Sequence, residues 1–248
     1  MARRFAIYAA PEADSALGRL ANGWLGRDPV SGDALPRPGV AGFTAERCGE
    51  ITAAPRHYGF HGTLKPPFRL APGTRAEDLI AALAAFAEAR APIALPPFAV
   101  TALGGFVALT CYHACPDLDR LAADRVRDFD RFRAAMDDQE RARRRAGGLT
   151  PRQDRNLREW GHPYVMEDFR FHMTPTGRLA PEERGRACRA LAGLFEAVDL
   201  AAIRLDSICL FEQQGAERPF LLSKRLDFKR VPPGGCRTRG SGTRRPGG

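Results

Sequence analysis

Two stretches of this sequence repeat one another, and they constrain the fold more than any other feature. Residues 60–72 read FHGTLKPPFRLAP and residues 171–181 read FHMTPTGRLAP. Both copies begin Phe-His-x-Thr and then reach Arg-Leu-Ala-Pro, which is a longer match than an isolated His-x-Thr would give. We predict that the two copies occupy equivalent places in two related halves of the chain and form one site.

The first copy carries polar side chains at every second position, which is the spacing of residues that share one face of a β-strand. His61, Thr63 and Lys65 are predicted to share one face, because successive side chains of a strand point to opposite faces. We expect Lys65 to contact substrate there, with a solvated surface charge as the alternative. Tyr58 is a further candidate for substrate contact, with ordinary packing as the alternative.

The second copy shows the same alternation. Arg170, His172 and Thr174 fall on one face, and the residues between them are apolar. Arg170 is the strongest auxiliary substrate-binding candidate because it shares a face with His172. Pro175 interrupts the pattern, since proline has no backbone N–H and is confined to strand edges and bulges.

Two histidines that face one groove suit acid–base chemistry at phosphorus. An unperturbed imidazole has a pKa of about 6.5, so one ring can accept a proton from the attacking group while the other donates one to the leaving oxygen. The hydroxyls of Thr63 and Thr174 can donate hydrogen bonds to phosphate oxygens. This chemistry requires no metal, and we predict no cofactor. His57 and His61 are about 13 Å apart if they lie on a strand, which is too far to share a metal ion.

Hydrophobic periodicity predicts an α+β fold built from two similar halves. Strands are predicted at 5–9, 98–103, 106–112, 168–176, 203–211 and 219–228, and helices at 15–26, 74–90, 117–145, 149–161 and 181–198. We predict one domain over 1–228, with two pseudo-symmetric lobes that meet near 104–105. Each lobe is expected to be an antiparallel sheet with helices on its outer side, and the lobes are expected to enclose a central groove.

The segment 27–56 is dense in Gly, Pro, Asp and Ser, and it is predicted to be a long loop with short structure near 43–51. Loops of this length in compact domains often serve as lids, so a flap over the site is one interpretation. A tolerated insertion is the other.

Positive charge is concentrated in two places. The chain has a formal net charge of +9, and the segment 229–248 supplies six cations without an acid, which leaves 9 − 6 = +3 for the remainder. We predict that 229–248 is a disordered basic tail that either solubilises the protein or contacts RNA. The arginines within 141–145 end a predicted helix, so they either complement its macrodipole or form a nucleic-acid patch.

Cysteines and apolar runs indicate a cytoplasmic protein. The six cysteines are scattered without a CxxC pair, and reduced thiols are the expectation for that pattern. No apolar run reaches the length of a signal-peptide core or a membrane span, so we predict no membrane association.

Paired His-x-Thr motifs on strands of a duplicated fold resemble the two-histidine (2H) phosphoesterase superfamily, which includes RNA-end cyclic phosphodiesterases. The runs RFAIYAAPEADSALGRLANGWLGRD, YGFHGTLKPPFRLAPG, LTPRQDRNLREWG and FRFHMT look like one largely uncharacterised branch, associated with phosphonate-utilisation genes. The resemblance covers residues 3 to about 228. It implies that His61 with Thr63 and His172 with Thr174 are the catalytic pairs. Pro175 departs from the hydrophobic residue usual at that position.

The predicted function is therefore a metal-independent phosphoric diester hydrolase that acts on a cyclic phosphodiester. A ribose-derived cyclic phosphate of phosphonate metabolism and an RNA-type 2′,3′-cyclic phosphate are the two candidate substrates. A non-catalytic nucleotide or RNA-binding module is the alternative. The oligomeric state and the assignment of acid and base are left open by the sequence.

Overall fold

A computed structural model describes residues 3–229. Its main feature is a seven-stranded sheet in which every neighbouring pair of strands is antiparallel. The strands are β1 (Arg4–Ala9), β2 (Gly62–Phe68), β3 (Ile93–Ala94), β4 (Phe98–Leu103), β5 (Phe106–Cys111), β6 (His172–Met173), β7 (Arg204–Leu205), β8 (Ser207–Gln213) and β9 (Leu221–Asp227). The order in the large sheet is β4-β5-β6-β2-β1-β8-β9, and β3 pairs with β7 in a separate two-stranded sheet.

Helices complete the α+β architecture that the periodicity predicted. They are α1 (Ala16–Leu25), α2 (Ala45–Ile51), α3 (Ala53–Tyr58), α4 (Ala76–Glu88), α5 (Pro116–Asp128), α6 (Asp138–Arg145), α7 (Pro151–Trp160) and α8 (Pro181–Phe195), with short 3-10 turns at Asp130–Phe132 and Met166–Asp168. No helix in the part of the chain that the structure describes is long and apolar enough to cross a membrane.

The halves of the chain share one continuous sheet, whereas the sequence predicted a separate sheet for each lobe. Gly62 in β2 pairs with Met173 in β6, and this contact joins β4-β5-β6 to β2-β1-β8-β9. The predicted boundary at 104–105 falls in the tight turn between β4 and β5, inside a regular antiparallel hairpin. The predicted tail at 229–248 lies outside the described residues except for Lys229.

Local signals placed several helix ends correctly. The Ser15 side chain accepts a hydrogen bond from the Gly18 amide and caps α1, which ends at Gly26 with φ of 71°. Thr150 and Gln153 form a capping box at the start of α7. The N-cap of α4 is Arg75, and the preceding Thr74 hydroxyl donates to the Ala71 carbonyl.

The predicted helix over 117–145 is two helices, because the chain between them pairs with another segment. After α5, the carbonyl of Phe132 accepts from the Ala71 amide and the amide of Ala134 donates to the Arg69 carbonyl. These hydrogen bonds hold the chain in an extended conformation, so helical geometry cannot continue. The Asp137 side chain then caps α6 by accepting from the Glu140 amide.

The segment 27–56 contains α2 and the beginning of α3, and it is folded against the remainder of the chain. Arg27 is buried; its Nε donates to the Arg56 carbonyl at 2.8 Å and its Nη2 to the Phe220 carbonyl at 2.9 Å. The Gly177 amide donates to the Ile51 carbonyl. A role as a flap stays a prediction.

The two faces of the large sheet differ in what covers them. Phe5, Ile7 and Ala9 of β1 belong to the main core, together with apolar residues of α1, α4, α5 and α8. Ala6 and Tyr8, which alternate with them, face a small separate cluster completed by Cys209, Phe211 and Phe220. The His-Thr residues lie on this second face.

Candidate active site

The Gly62–Met173 pair brings the two sequence copies together. In an antiparallel pair the residues that flank a matched position also lie opposite one another, so His61 faces Thr174 and Thr63 faces His172. Opposite side chains of such strands point to the same face with their Cβ atoms about 5 Å apart. The four polar residues therefore form a two-by-two array, and each histidine has the threonine of the other copy as its cross-strand neighbour.

Neighbouring strands extend this array into a row across the sheet. Thr110 of β5 pairs with His172, and Tyr8 of β1 pairs with Thr63. Because these are matched positions, the row Thr110, His172, Thr63 and Tyr8 presents its side chains on one face. The face that carries both histidines is thus built from side chains of four strands.

Both histidine rings are held in the same way. The Nδ1 of His61 lies 2.9 Å from the Gly59 carbonyl oxygen, and the Nδ1 of His172 lies 2.7 Å from the Arg170 carbonyl oxygen. A carbonyl can only accept, so Nδ1 carries the proton in each neutral ring and Nε2 holds the free lone pair. In both copies the acceptor is the carbonyl two residues before the histidine, which leaves both Nε2 atoms available for chemistry.

Aromatic residues surround His61. Its ring stacks on Tyr8 with a centroid separation of 3.5 Å and an interplanar angle of 17°, and Phe211 and Tyr58 each lie 6.4 Å away. Burial lowers the pKa of His61 to about 4; the Gly59 hydrogen bond opposes this shift, and the charge of His172 adds to it. His61 is therefore neutral at pH 7. Its Nε2 lies 3.1 Å from the Thr63 hydroxyl.

Fewer aromatic rings surround His172. Phe106 of β5 lies 5.7 Å from the His172 ring. Arg170, the auxiliary cation predicted from the sequence, is exposed, and its guanidinium donates to the Phe169 carbonyl at 3.3 Å. Its best-defined contribution to the array is the main-chain carbonyl that orients His172.

Lys65 departs from the predicted alternation. Tyr8 pairs with Thr63 and Ile7 pairs with Lys65, so a register shift inserts Leu64 as an extra residue in β2. Lys65 is only 2% exposed, and its Nζ lies 3.2 Å from the Val126 carbonyl and 3.4 Å from Asp130. Its polar contacts are therefore with α5 and the following turn, and not with the His-Thr residues.

Tyr58 and Thr174 lie near the array. Tyr58 is half-buried, and its ring stacks on Phe220 at a centroid distance of 5.3 Å while it also borders His61. Thr174 is half-buried opposite His61. Both positions are compatible with substrate contact.

The second copy is shorter as a strand than predicted, and Pro175 marks its end. Regular pairing covers only His172–Met173, and the Pro175 carbonyl accepts from the Trp24 indole at 2.9 Å. Thr176, which strict alternation would put beside Thr174, is buried and accepts from the Val107 amide at 3.0 Å. The second copy thus contributes its polar face over fewer residues than the first.

Tyr8 is the residue of the array that the sequence analysis missed. It is 1% exposed, stacks on His61 and pairs with Thr63. The signal was present in the sequence, because Tyr8 is the only residue with a polar group in the run Phe5–Ala9. Its relation to His61 depends on the pairing of β1 with β2, which alternation within one strand does not specify.

Comparison with known proteins assigns the family. Residues 63–221 match a family model described as "Protein of unknown function (DUF1045)". The chain belongs to the DUF1045 family. This assignment agrees with the resemblance to the phosphonate-associated branch of 2H phosphoesterases.

Two curated relatives of this DUF1045 protein are named "Ribose 1,5-bisphosphate phosphokinase PhnN". The protein from Janthinobacterium sp. (strain Marseille) is 34% identical over 232 residues, covering 91% of this chain and 51% of the relative. The protein from Laribacter hongkongensis (strain HLHK9) is 34% identical over 176 residues, covering 71% and 40%. The chain thus spans about half, or less, of these relatives. A solved structure titled "Crystal structure of phosphoesterase" aligns with a TM-score of 0.38 and 12% identity over 93% of this chain and 100% of that one.

Proposed function

We propose that this DUF1045 protein is a metal-independent phosphoesterase that hydrolyses a cyclic phosphodiester with two histidines as general base and general acid. The observation that carries the proposal is the matched setting of the rings: both Nδ1 atoms bond to a carbonyl two residues back, on strands that pair at Gly62 and Met173. Two Nε2 atoms on one sheet face can serve the attacking and leaving oxygens of one phosphorus.

His61 is the general base in the ring-opening direction. Its low pKa keeps Nε2 unprotonated at pH 7, so it accepts a proton as water attacks phosphorus. The phosphorus forms a new bond to the water oxygen while its bond to one ester oxygen breaks. His172 enters this step as the imidazolium, and its Nε2 proton passes to that ester oxygen. The products are a phosphomonoester, a cationic His61 and a neutral His172, and proton exchange with solvent restores the starting state.

The threonines and Arg170 stabilise charge on the phosphoryl oxygens. Thr63 and Thr174 can donate hydrogen bonds to the two non-bridging oxygens, since each lies across the strand pair from a histidine. The exposed guanidinium of Arg170 can swing toward the same charge, since within residues 3–229 its one hydrogen bond is to the neighbouring Phe169 carbonyl. We assign Lys65 no role in substrate binding, because its ammonium is already paired with Asp130.

The favoured substrate is a cyclic phosphate of a ribose derivative, with an RNA-type 2′,3′-cyclic phosphate as the competitor. The names of the two relatives concern a ribose bisphosphate, and this supports the smaller substrate. Their phosphokinase activity is not carried over, because the sequence contains no Gly-Lys dipeptide and so lacks the G-x-x-x-x-G-K-[S/T] phosphate loop.

We also propose that the two halves of the chain are pseudo-symmetric lobes that share the large sheet. Each strand of the first half has a counterpart in the second: β1 with β5, β2 with β6 and β4 with β8. Exchanging the counterparts turns the order β4-β5-β6-β2-β1-β8 into the same order read from the opposite edge, as a twofold axis in the sheet would. The pairing of β3 with β7 follows the same exchange. These relations support an internal duplication with its axis near Gly62 and Met173.

Hydrolysis of a 2′,3′-cyclic nucleotide in the presence of EDTA tests the proposal. We expect turnover that EDTA does not reduce, and we expect His61→Ala and His172→Ala each to lose about a hundredfold to ten-thousandfold of the rate. His113→Ala is the matched control, because His113 is an exposed histidine outside the array. Activity that requires a metal, or activity retained in both variants, would contradict the mechanism. RNA binding without turnover, unchanged in both variants, would support a non-catalytic module.

A further inference from the structure

A cationic cavity lies at the other end of β2 from the histidines. Its volume is about 120 Å³, which is room for a few waters or one compact oxyanion. Five arginines and a single acid, Glu140, are among the residues that line it: Arg4, Arg69, Arg133, Arg143 and Arg144. Two arginines of the 141–145 run, Arg143 and Arg144, line this cavity.

The acids around this arginine cavity do not balance its cations. Glu140 is shared between Arg69 at 3.4 Å and Arg144 at 3.1 Å. Arg69 also lies 3.6 Å from Asp137, and Arg133 pairs with Asp130 at 2.7 Å. Five guanidinium groups share three carboxylates, and one of these, Asp130, is also paired with Lys65, so the arginines keep an excess of at least 5 − 3 = 2 positive charges.

The two uncompensated cations are Arg4 and Arg143. Arg4 Nε donates to the neutral amide oxygen of Gln213 at 2.6 Å. Neither arginine has a carboxylate within 4.0 Å in the stretch that the structure describes, residues 3–229. In addition, Arg144 Nε is buried and has no hydrogen-bond partner among those residues. The buried, unpartnered Arg144 nitrogen is the polar atom that an anion in the cavity would satisfy, and Arg4 and Arg143 supply positive charge that no carboxylate takes up.

The arginine cavity is too far from the histidines to share the reacting phosphorus. Its wall includes Phe68, which is five residues beyond Thr63 on β2, a span of about 17 Å at strand geometry. An anion in the cavity is therefore a second group, held apart from the phosphorus between His61 and His172.

We propose that the arginine cavity is a phosphoryl-binding site distinct from the histidine pair. The guanidinium fork matches the oxygens of a phosphate monoester, and two excess positive charges offset a dianion. The cavity volume admits a phosphate group and leaves any sugar or base outside. The phosphoryl group is either a remote phosphate of the substrate or part of a separate ligand.

Calorimetric titration of the full chain with inorganic phosphate, at constant ionic strength, tests this site. We expect Arg143→Ala to weaken binding about tenfold and Arg143→Glu to weaken it further, because a charge-assisted hydrogen bond is lost. Arg141→Ala is the matched control on the same helix, since Arg141 pairs with Asp138 and does not line the cavity. The titrations are repeated in a His61→Ala, His172→Ala background to remove binding at the histidine pair.

Equal affinity in wild type and both Arg143 variants would overturn the proposal, as would an equal loss in Arg141→Ala. Melting curves confirm that each variant is folded. These titrations need no catalysis, so their outcome is independent of the proposed hydrolysis. A kinetic experiment, which does depend on the proposed hydrolysis, compares a cyclic mononucleotide with a trinucleotide that ends in a cyclic phosphate. A rise in KM for the trinucleotide alone in Arg143→Ala assigns the phosphate to the substrate, and unchanged KM values assign it to a separate ligand.

Discussion

Gly62 and Met173 pair across β2 and β6, and this pair is the centre about which both His-x-Thr motifs are arranged. A Cβ added at Gly62 would lie 2.2 Å from the ring of Phe171, so the close packing of Phe171 requires glycine at this position. Gly62, which follows His61, and Phe171, which precedes His172, thus set how closely β2 and β6 approach. The geometry of the array depends on this contact.

Gly62→Ala is expected to destabilise the protein by about 1–3 kcal/mol and to lower activity, because Phe171 must move and His172 follows it in sequence. Urea unfolding and a rate assay measure the two effects. Gly193→Ala is the control: Gly193 lies within α8 with open space around its added Cβ, so that substitution should leave stability equal or raised by about 0.5–1 kcal/mol. Wild-type stability and rate in Gly62→Ala would show that the strand spacing does not depend on this glycine.

Thr63→Val removes the hydroxyl that lies 3.1 Å from His61 Nε2 while keeping the side-chain shape. We expect the rate to fall roughly tenfold to a hundredfold, since a hydrogen bond to a charged group is worth about 1.5–3 kcal/mol. Thr63→Ser keeps the hydroxyl and should retain most of the rate. A valine variant as active as the serine variant would count against a role for this hydroxyl.

Tyr8→Leu is expected to raise the pKa of His61 toward its ordinary value, because the stacked ring that buries His61 is lost. The acidic limb of the pH–rate profile should then move to higher pH. Tyr8→Phe keeps the stacking and serves as the control, with a profile close to that of wild type. NMR titration of the His61 ring measures its pKa directly. An unchanged pKa in Tyr8→Leu would show that burial by Tyr8 does not cause the low pKa of His61.

Stability should fall on acidification because His61 has a lowered pKa in the folded state. The unfolded chain binds the proton near pH 6.5 and the folded chain near pH 4, so the unfolded state holds more protons between these values. Stability is therefore full above pH 6.5 and declines as the pH falls toward 4. At about 1.4 kcal/mol per pKa unit, the loss is at most on the order of 3 kcal/mol. Urea unfolding at several pH values should show a shallower decline in His61→Gln, and equal slopes would exclude His61 as the source.

The sequence by itself determined the α+β class of the fold and singled out the two His-x-Thr copies. Most helices and the β4–β5 hairpin were predictable because their signals depend on contacts within a few residues. These signals are the apolar periodicity, the N-caps at Ser15 and Thr150, and the glycines that end helices. The two His-x-Thr copies were recognisable for the same reason, because alternation along a strand already groups each histidine with its threonine.

Tertiary structure decided what depends on pairing between distant segments. The register shift at Leu64 turned Lys65 toward Asp130, and the pairing of 69–71 with 132–134 divided the predicted helix over 117–145. The stacking of Tyr8 on His61, and hence the low pKa of that histidine, follows from the β1–β2 ladder. Local sequence sets which face a side chain takes within its own strand, whereas register, burial and charge environment arise only when the strands meet.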